Sequence, residues 1–435
     1  MPSADPAALG VEEAAERIRA GALDPVALVD ACLERIRALD GRLQAWIHVD
    51  EAGARAAARE RADEAASGRV RGPLHGVPFG VKDIFDAAGL PTTAGARAFA
   101  HRRPKEDAAS VARLRAAGAI VLGKTHTTTF AYRDPAPTTN PWNAAHTPGG
   151  SSSGSAAAVA ARMVPLALGS QTVGSVLRPA AYCGAVGFKG THGLVPAAGV
   201  VPLAWSLDHV GVFTRGVADA ALVMSVLAGR ALVAAPPPAP RLALARELLE
   251  RATPEVAAHL EACAAAFARA GASVVEVKLP PSFRAIHAAG QTVLEVEAAT
   301  YHEPLLAAHA ADYHPEIKGL AETGLAVSGT AYVRAHRARL AFREDVLPLL
   351  AAHDALLSPS APAPAPAGLG WTGDAWNCAP WSFAGVPSVS LPSGVAASGL
   401  PLAIQLVQAA DADARLLATA RWCEDVLGFA AAPAL

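Results

Sequence analysis

Charge, sulfur and basic runs are all scarce in this 435-residue chain, and each shortage removes a class of function. Charged residues make up only 17% of it and the formal net charge is −2, with no Lys/Arg run of the length that a polyanion requires, so nucleic acid is excluded as a partner. No uninterrupted apolar run is long enough to cross a bilayer. Arg162 and Pro165 break the most apolar stretch, and a membrane helix is excluded with it. The opening MPSADPAALGVEEAAERIRAG is acidic and amphipathic and lacks the basic-then-apolar order of a signal peptide, so a cytoplasmic protein is expected. The five cysteines, Cys32, Cys183, Cys263, Cys378 and Cys423, are odd in number, scattered and without a C-x-x-C pair. Free buried thiols are expected rather than a disulfide framework. Tyr301-His302-Glu303 begins like the zinc motif H-E-x-x-H, but Leu306 stands where the second His belongs, so no metal site is expected.

What is abundant is small and apolar. Hydrophobic residues reach 52%, enough for a large core, and the elements alternate between helix and strand. Two helices are predicted over residues 7–40, the second opening at Asp24-Pro25, an N-cap followed by proline at the first helical position. Another is predicted over 50–67; these arms serve the core or a dimer partner. Strands are expected at Pro78–Lys82 and Ala119–Leu122, with the helix Ala108–Ala117 between them. After the AAPPPAP linker at 234–240 come strands at Leu242–Ala245 and Ser273–Val277 around a helix at Pro254–Ala270, then helical sequence over 287–350. A short strand at Ala355–Leu357 leads into a Pro/Gly loop near Trp371, Trp376 and Trp381, which could cap an apolar pocket or form rim packing. A hairpin at 388–391 and 403–407 and a helix at 413–427 close the chain. This order predicts an α/β fold, a mixed central β-sheet covered by helices on both faces.

The chemistry concentrates in HTPGGSSSGSAAAVAARMVPLALGSQTVGSVLRPAAYCGAVG, residues 146–187: a Gly/Ser loop at 149–155, a small-residue helix at 156–163 and a second Gly/Ser turn at 169–175. Glycine leaves main-chain N–H groups bare, which suits an anion nest or an oxyanion hole. A Walker-type phosphate loop needs a Lys after its last Gly, and no Lys or Arg lies between Pro148 and Ala161. Gly150-Ser151-Ser152-Ser153-Gly154 also fits G-x-S-x-G, the esterase nucleophile elbow with Ser152 as nucleophile. The approach to it, NPWNAAHTP, is polar and twice broken by proline, unlike the buried strand that motif requires.

The segment resembles the amidase signature family of serine hydrolases, and the likeness extends through GPLHGVPFGVKDIFD (72–86), TTAG (92–95), AGAIVLGKT (117–125), SLDHVGVFTR (206–215) and GLPLAIQLV (399–407). It implies a single domain over 1–435, with N-terminal helices (1–70), a catalytic core (71–230), a variable substrate-pocket region (241–350) and a C-terminal loop, hairpin and helix (351–435). It also implies a triad: Ser175 as nucleophile, Ser151 as bridging serine preceded by a cis peptide bond, and Lys82 as base, with backbone N–H groups of Thr172, Val173, Gly174 and Ser175 as oxyanion hole. Ser152 and Ser170 match supporting positions. No cofactor or metal is implied.

A serine hydroxyl needs a neighbouring base, and a lysine serves only when neutral. Lys82 ends the apolar run Val77-Pro78-Phe79-Gly80-Val81, where burial disfavours the ammonium. The expected reaction is hydrolysis of a carboxylic amide through an acyl-enzyme. Carbamate (urethane) or aryl-acylamide hydrolysis by the same triad is one alternative and the glutamine-amidase subunit of an amidotransferase another, with the elbow-type esterase as outsider. The partner expected is a small amide or carbamate, and the protein a monomer or homodimer.

Departures from the family pattern bear on substrate. Gln171 and Leu177 stand where many members carry an Asp and an Arg, and Val173 replaces the first glycine of a pair, which puts the path of the oxyanion loop in question. Arg178, three residues after Ser175, matches malonamidase-type members acting beside a free carboxylate. It either anchors such a carboxylate or braces the loop. His126, His209, Tyr301 and Trp376 are further pocket candidates.

Overall fold

The computed structural model describes residues 5–435. Eleven strands form one sheet: β1 (Trp46–Val49), β2 (Pro78–Lys82), β3 (Ile120–Thr125), β4 (Leu166–Gln171), β5 (Val186–Lys189), β6 (His209–Thr214), β7 (Arg241–Ala245), β8 (Ser273–Val277), β9 (Ala355–Pro359), β10 (Ser388–Val395) and β11 (Pro401–Val407). Their spatial order is β1-β3-β2-β4-β6-β5-β10-β11-β9-β7-β8. Parallel pairing of β2 with β3 and β4, and of β7 with β8 and β9, alternates with antiparallel pairing elsewhere, so the sheet is mixed and helices cover both its faces. Every residue of β2, β3 and β4 is buried, as the near-continuous apolar runs of strands covered on both sides require. One contiguous apolar cluster reaches from Ala7 to Cys423.

Helix ends follow local chemistry. Asp24 accepts from the Val26 N–H at 2.8 Å and opens Pro25–Leu43, while Thr253 does the same from Val256 ahead of Pro254–Arg269. The closing helix spans Asp413–Leu427. All five cysteines are free and buried. Among the described residues no helix is long and apolar enough to cross a membrane.

Three expectations need correction. The second Gly/Ser stretch is not a turn throughout: Leu166–Gln171 is a strand, because Leu166, Ala167 and Leu168 align with β2 and the ladder with β6 continues through Gly169 and Ser170. The turn itself begins at Thr172. The small-residue helix starts earlier than expected, at Ser153. Trp381 belongs neither to a pocket cap nor to a rim; it lies in the short helix Ala379–Phe383, 0% exposed and packed against Phe342.

Among the buried charges outside the site described below, Lys189 carries a pH-dependent cost. Lys189, at the end of β5, is fully buried, and its ammonium donates to the Val386 carbonyl. Burial pushes its pKa down to about 7 from an ordinary 10.5. Between those two values the unfolded chain binds a proton that the folded one does not, so stability rises with pH across that window. Lys189→Met removes the cost, and is expected to raise Tm by about 2–4 °C near pH 6 and by less near pH 9. A Tm difference that does not shrink with pH in thermal scans would count against this.

Candidate active site

Lys82 is the last residue of β2 and is 0% exposed, because β2 runs between β3 and β4 in the middle of the buried half-sheet. Its Nζ lies 2.8 Å from Ser151 Oγ and 2.7 Å from Ser170 Oγ. Ser170 comes from β4, the strand beside β2, and Ser151 from the Gly/Ser loop. Burial drives the Lys82 pKa well below its ordinary value, with the Asp208 charge opposing that shift. A lysine so placed can be neutral and accept a proton.

The peptide bond between Gly150 and Ser151 is cis. The turn before it depends on Gly149, which has φ +84° and lies against Pro179, where a Cβ would come within 2.8 Å of the proline Cα. Ser153 Oγ donates to the Gly149 carbonyl at 2.7 Å and ties the loop to its helix. The other loop, from Thr172 to Val176, joins β4 to the helix Leu177–Cys183. The Ser152 N–H donates to the Ser175 carbonyl at 3.4 Å, so the two loops lie side by side. Ser175 is 7% exposed and lines a cleft of about 440 Å³. Among the described residues no hydrogen bond joins the Ser151 and Ser175 hydroxyls, and none engages the N–H groups of Val173, Gly174 and Ser175.

Gln171 organises that bare loop. Its Oε1 accepts from the N–H groups of Val176 (2.8 Å) and Leu177 (2.9 Å), and its Nε2 donates to Ser382 Oγ at 2.9 Å. The Ser382 hydroxyl in turn donates to the Val173 carbonyl at 2.7 Å. Val173 has no positive φ, so the missing glycine costs the backbone nothing there. Gly174 is required instead by close approach: a Cβ would meet that of Ala375 at 2.8 Å.

The remaining candidates separate. Trp376 lines the cleft, stacked on His287 at 3.7 Å between ring centroids. Arg178 lines it too, but its Nη1 donates to the Gly373 carbonyl (2.6 Å) and its Nη2 to the Gly150 carbonyl (2.7 Å). His126, His209 and Tyr301 do not line it. His126 follows β3, where its carbonyl accepts from the Gly154 N–H. His209 is buried with Nδ1 against the Leu207 (2.6 Å) and Gln171 (3.1 Å) carbonyls, so Nδ1 carries the proton; burial keeps the ring neutral. Tyr301 packs edge-on against Trp205 and His302. The elbow reading fails on geometry: Ser152 is 0% exposed, its hydroxyl facing the Ser170 backbone.

Several groups carry no signal in the sequence. Tyr132, Arg133, Arg251, His287 and Asp374 line the cleft from four separate segments, and no local pattern marks them. Asp208 could have been found, since it lies within SLDHVGVFTR. Its Oδ1 accepts from Thr172 Oγ1 at 2.6 Å, and its Oδ2 from the Leu203 (2.9 Å) and Ala204 (3.1 Å) N–H groups. One carboxylate thus ties the Thr172–Val176 loop to the 203–208 loop. Burial raises its pKa to about 6, with the Glu297 charge adding to that, and neutral His209 is its chain neighbour. Above that value it is the negative charge felt by Lys82. Asp208→Asn is expected to lower kcat/KM by about 10- to 100-fold through misplacement of the loop. It also removes the charge that favours protonated Lys82, so the acid limb of the pH–kcat/KM profile moves to lower pH. An unmoved limb would leave Asp208 a purely structural residue.

Comparison with known proteins identifies the family. The family model Amidase matches residues 27–417. A glutamyl-tRNA(Gln) amidotransferase subunit of Anaeromyxobacter sp. (strain K) is 38% identical, over 98% of this chain and 97% of that protein. An amidase of Pseudomonas putida is 37% identical, over 82% of this chain and 80% of its own length. The crystal structure of an amidase superposes with a TM-score of 0.91 at 34% identity, covering 96% of this chain and 99% of that one. The chain therefore belongs to the Amidase family, the amidase signature hydrolases, whose serine-type catalysis acts on amide C–N bonds.

Proposed function

We propose that Ser175 is the nucleophile of an amide hydrolase, with Ser151 as proton bridge and Lys82 as base. The observation that carries this reading is the buried, charge-disfavoured Lys82 amine within 2.8 Å of Ser151 Oγ, beside the one serine of the two loops that faces the cleft. Neutral Lys82 accepts the Ser151 proton while Ser151 accepts that of Ser175, and Ser175 Oγ bonds to the carbonyl carbon. Catalytic hydrogen bonds that are open in a free enzyme commonly close in the Michaelis complex, which is when the Ser151–Ser175 link forms. The tetrahedral oxyanion is held by the unpartnered N–H groups of Val173, Gly174 and Ser175, with Thr172 beside them. Collapse breaks the C–N bond, the relay returns its proton to the amine, and an acyl-Ser175 ester remains. Water then attacks that ester and gives its proton to the same relay; the bond between the acyl carbon and Ser175 Oγ breaks, the relay returns the proton to Oγ, and the acid is released. Ser170 holds Lys82 in place, and Arg178 acts as a brace, since each of its terminal nitrogens donates to a loop carbonyl, Gly373 and Gly150.

The second reading, the amidase component of a glutamine-dependent amidotransferase, is favoured by curated relatives that carry that name over nearly their full length. The purified chain alone decides between them. Ser175-dependent hydrolysis of simple amides without partner proteins supports the free-standing enzyme. Glutamine as sole substrate, or activity only in the presence of partner proteins, supports the other. An aryl carbamate and an aryl acylamide in the same panel test whether the relay extends to those bonds.

A further inference from the structure

The cleft above Ser175 has an imbalance of charge. Three guanidinium groups, Arg133, Arg178 and Arg251, line it against one carboxylate, Asp374, although the chain as a whole has a formal net charge of −2. The remaining basic group, His287, is kept neutral by burial, its pKa pushed down to about 4. Arg178 is committed to the Gly150 and Gly373 carbonyls, but the other two are not committed to the backbone. Arg133 is exposed, lies 5.3 Å over the Tyr132 ring and makes no ion pair among the described residues. Arg251 lies 4.3 Å over the Trp376 ring and 3.6 Å from Asp374, on side chains 58% and 32% exposed, too open for that pair to be strong. A guanidinium stacked on a ring holds a fixed plane and leaves its N–H edge free, the geometry that receives a carboxylate through two parallel bonds. The same cleft is also lined by the apolar side chains of Val173, Leu203, Leu294 and Phe383, which suit an apolar spacer.

Resting on the reading of Ser175 as nucleophile, we propose that this cleft selects amides that carry a carboxylate remote from the scissile bond, joined to it by an apolar spacer and bound by Arg133 and Arg251. A zwitterion such as glutamine would gain less, because its ammonium meets an excess of positive charge.

The test uses the full chain and three matched series of primary amides, with spacers of about three to ten carbons ending in carboxylate, methyl or ammonium. Ammonia release gives kcat/KM at about 20 and 300 mM salt, with Ser175→Ala as blank. At the best spacer length the carboxylate series is expected to lead the methyl series by about 10-fold or more and the ammonium series to be slowest. High salt, and the R133Q/R251Q double variant, are each expected to shrink that lead. Calorimetric binding of the best carboxylate amide to Ser175→Ala, weakened about 10-fold by R133Q/R251Q, makes the same point without turnover. Methyl or ammonium amides preferred at every length, or a lead and a binding constant unmoved by the double variant, overturn the inference. Ser175-dependent turnover of methyl amides alone would overturn it while leaving the proposed hydrolase intact; turnover in the blank would overturn the hydrolase reading itself.

Discussion

Ser175→Ala is expected to lower kcat for a simple amide by about 10⁴-fold or more while leaving KM within about threefold, because it deletes the atom proposed to bond to the carbonyl and little of the cleft that binds the rest. The folded protein should be unchanged by circular dichroism, since the hydroxyl has no hydrogen-bond partner among the described residues. Ser152→Ala is the matched control. Its hydroxyl is 0% exposed and faces the Ser170 backbone at 3.3 and 3.4 Å, so its removal should cost at most about 10-fold, through loop position. An active Ser175→Ala beside an inactive Ser152→Ala would move the nucleophile to the G-x-S-x-G elbow. The bare N–H groups of Val173, Gly174 and Ser175 would then have to be explained otherwise.

Lys82→Ala is the second large effect, with an expected loss of about 10⁴-fold in kcat/KM and, more tellingly, a change in the shape of the pH profile. On the proposed mechanism the active form of the wild type carries Lys82 as the neutral amine. Burial lowers the Lys82 pKa, so that form is available at lower pH than an ordinary lysine allows, and activity should rise with pH through the folded-state pKa to a plateau. In Lys82→Ala the remaining rate has no titrating base in the relay and should climb with hydroxide without that plateau. Lys82→Arg should be as poor as alanine, because a guanidinium stays protonated. Retention of the wild-type acid limb in Lys82→Ala would assign the titration to another group, Asp208 first among them.

Much of the fold is legible in adjacent residues. Asp24-Pro25 announces a helix through a cap and a preset φ, both properties of adjacent residues, and the helix begins there. The run from Val77 to Val81 is apolar throughout, which says that its neighbours are buried whatever they are, Lys82 included. Where register decides the outcome, local reading fails: Gly169 and Ser170 look like turn residues, yet they follow Leu166–Leu168 into the ladder against β6. The four residues of β1 escape for the same reason, since their pairing with β3 is set by a partner strand more than 70 positions away.

The three catalytic candidates stand in motifs that resemble those of one family, so the sequence is enough to point to that family and its reaction class and, through the resemblance, to nominate the relay. It also limits the cleft to a neighbourhood of the two Gly/Ser loops. What surrounds those loops is settled in three dimensions alone: that Trp376 faces the cleft while Trp381, five residues on, is buried in the core; that Arg178 donates to the Gly150 and Gly373 carbonyls; that Arg133 and Arg251 line one cleft from distant segments. The reason is physical. A nucleophile and its oxyanion loop are built from backbone turns a few residues long, which sequence encodes locally, whereas a binding surface is the sum of side chains from separate elements, and their meeting is set by how the sheet orders its strands.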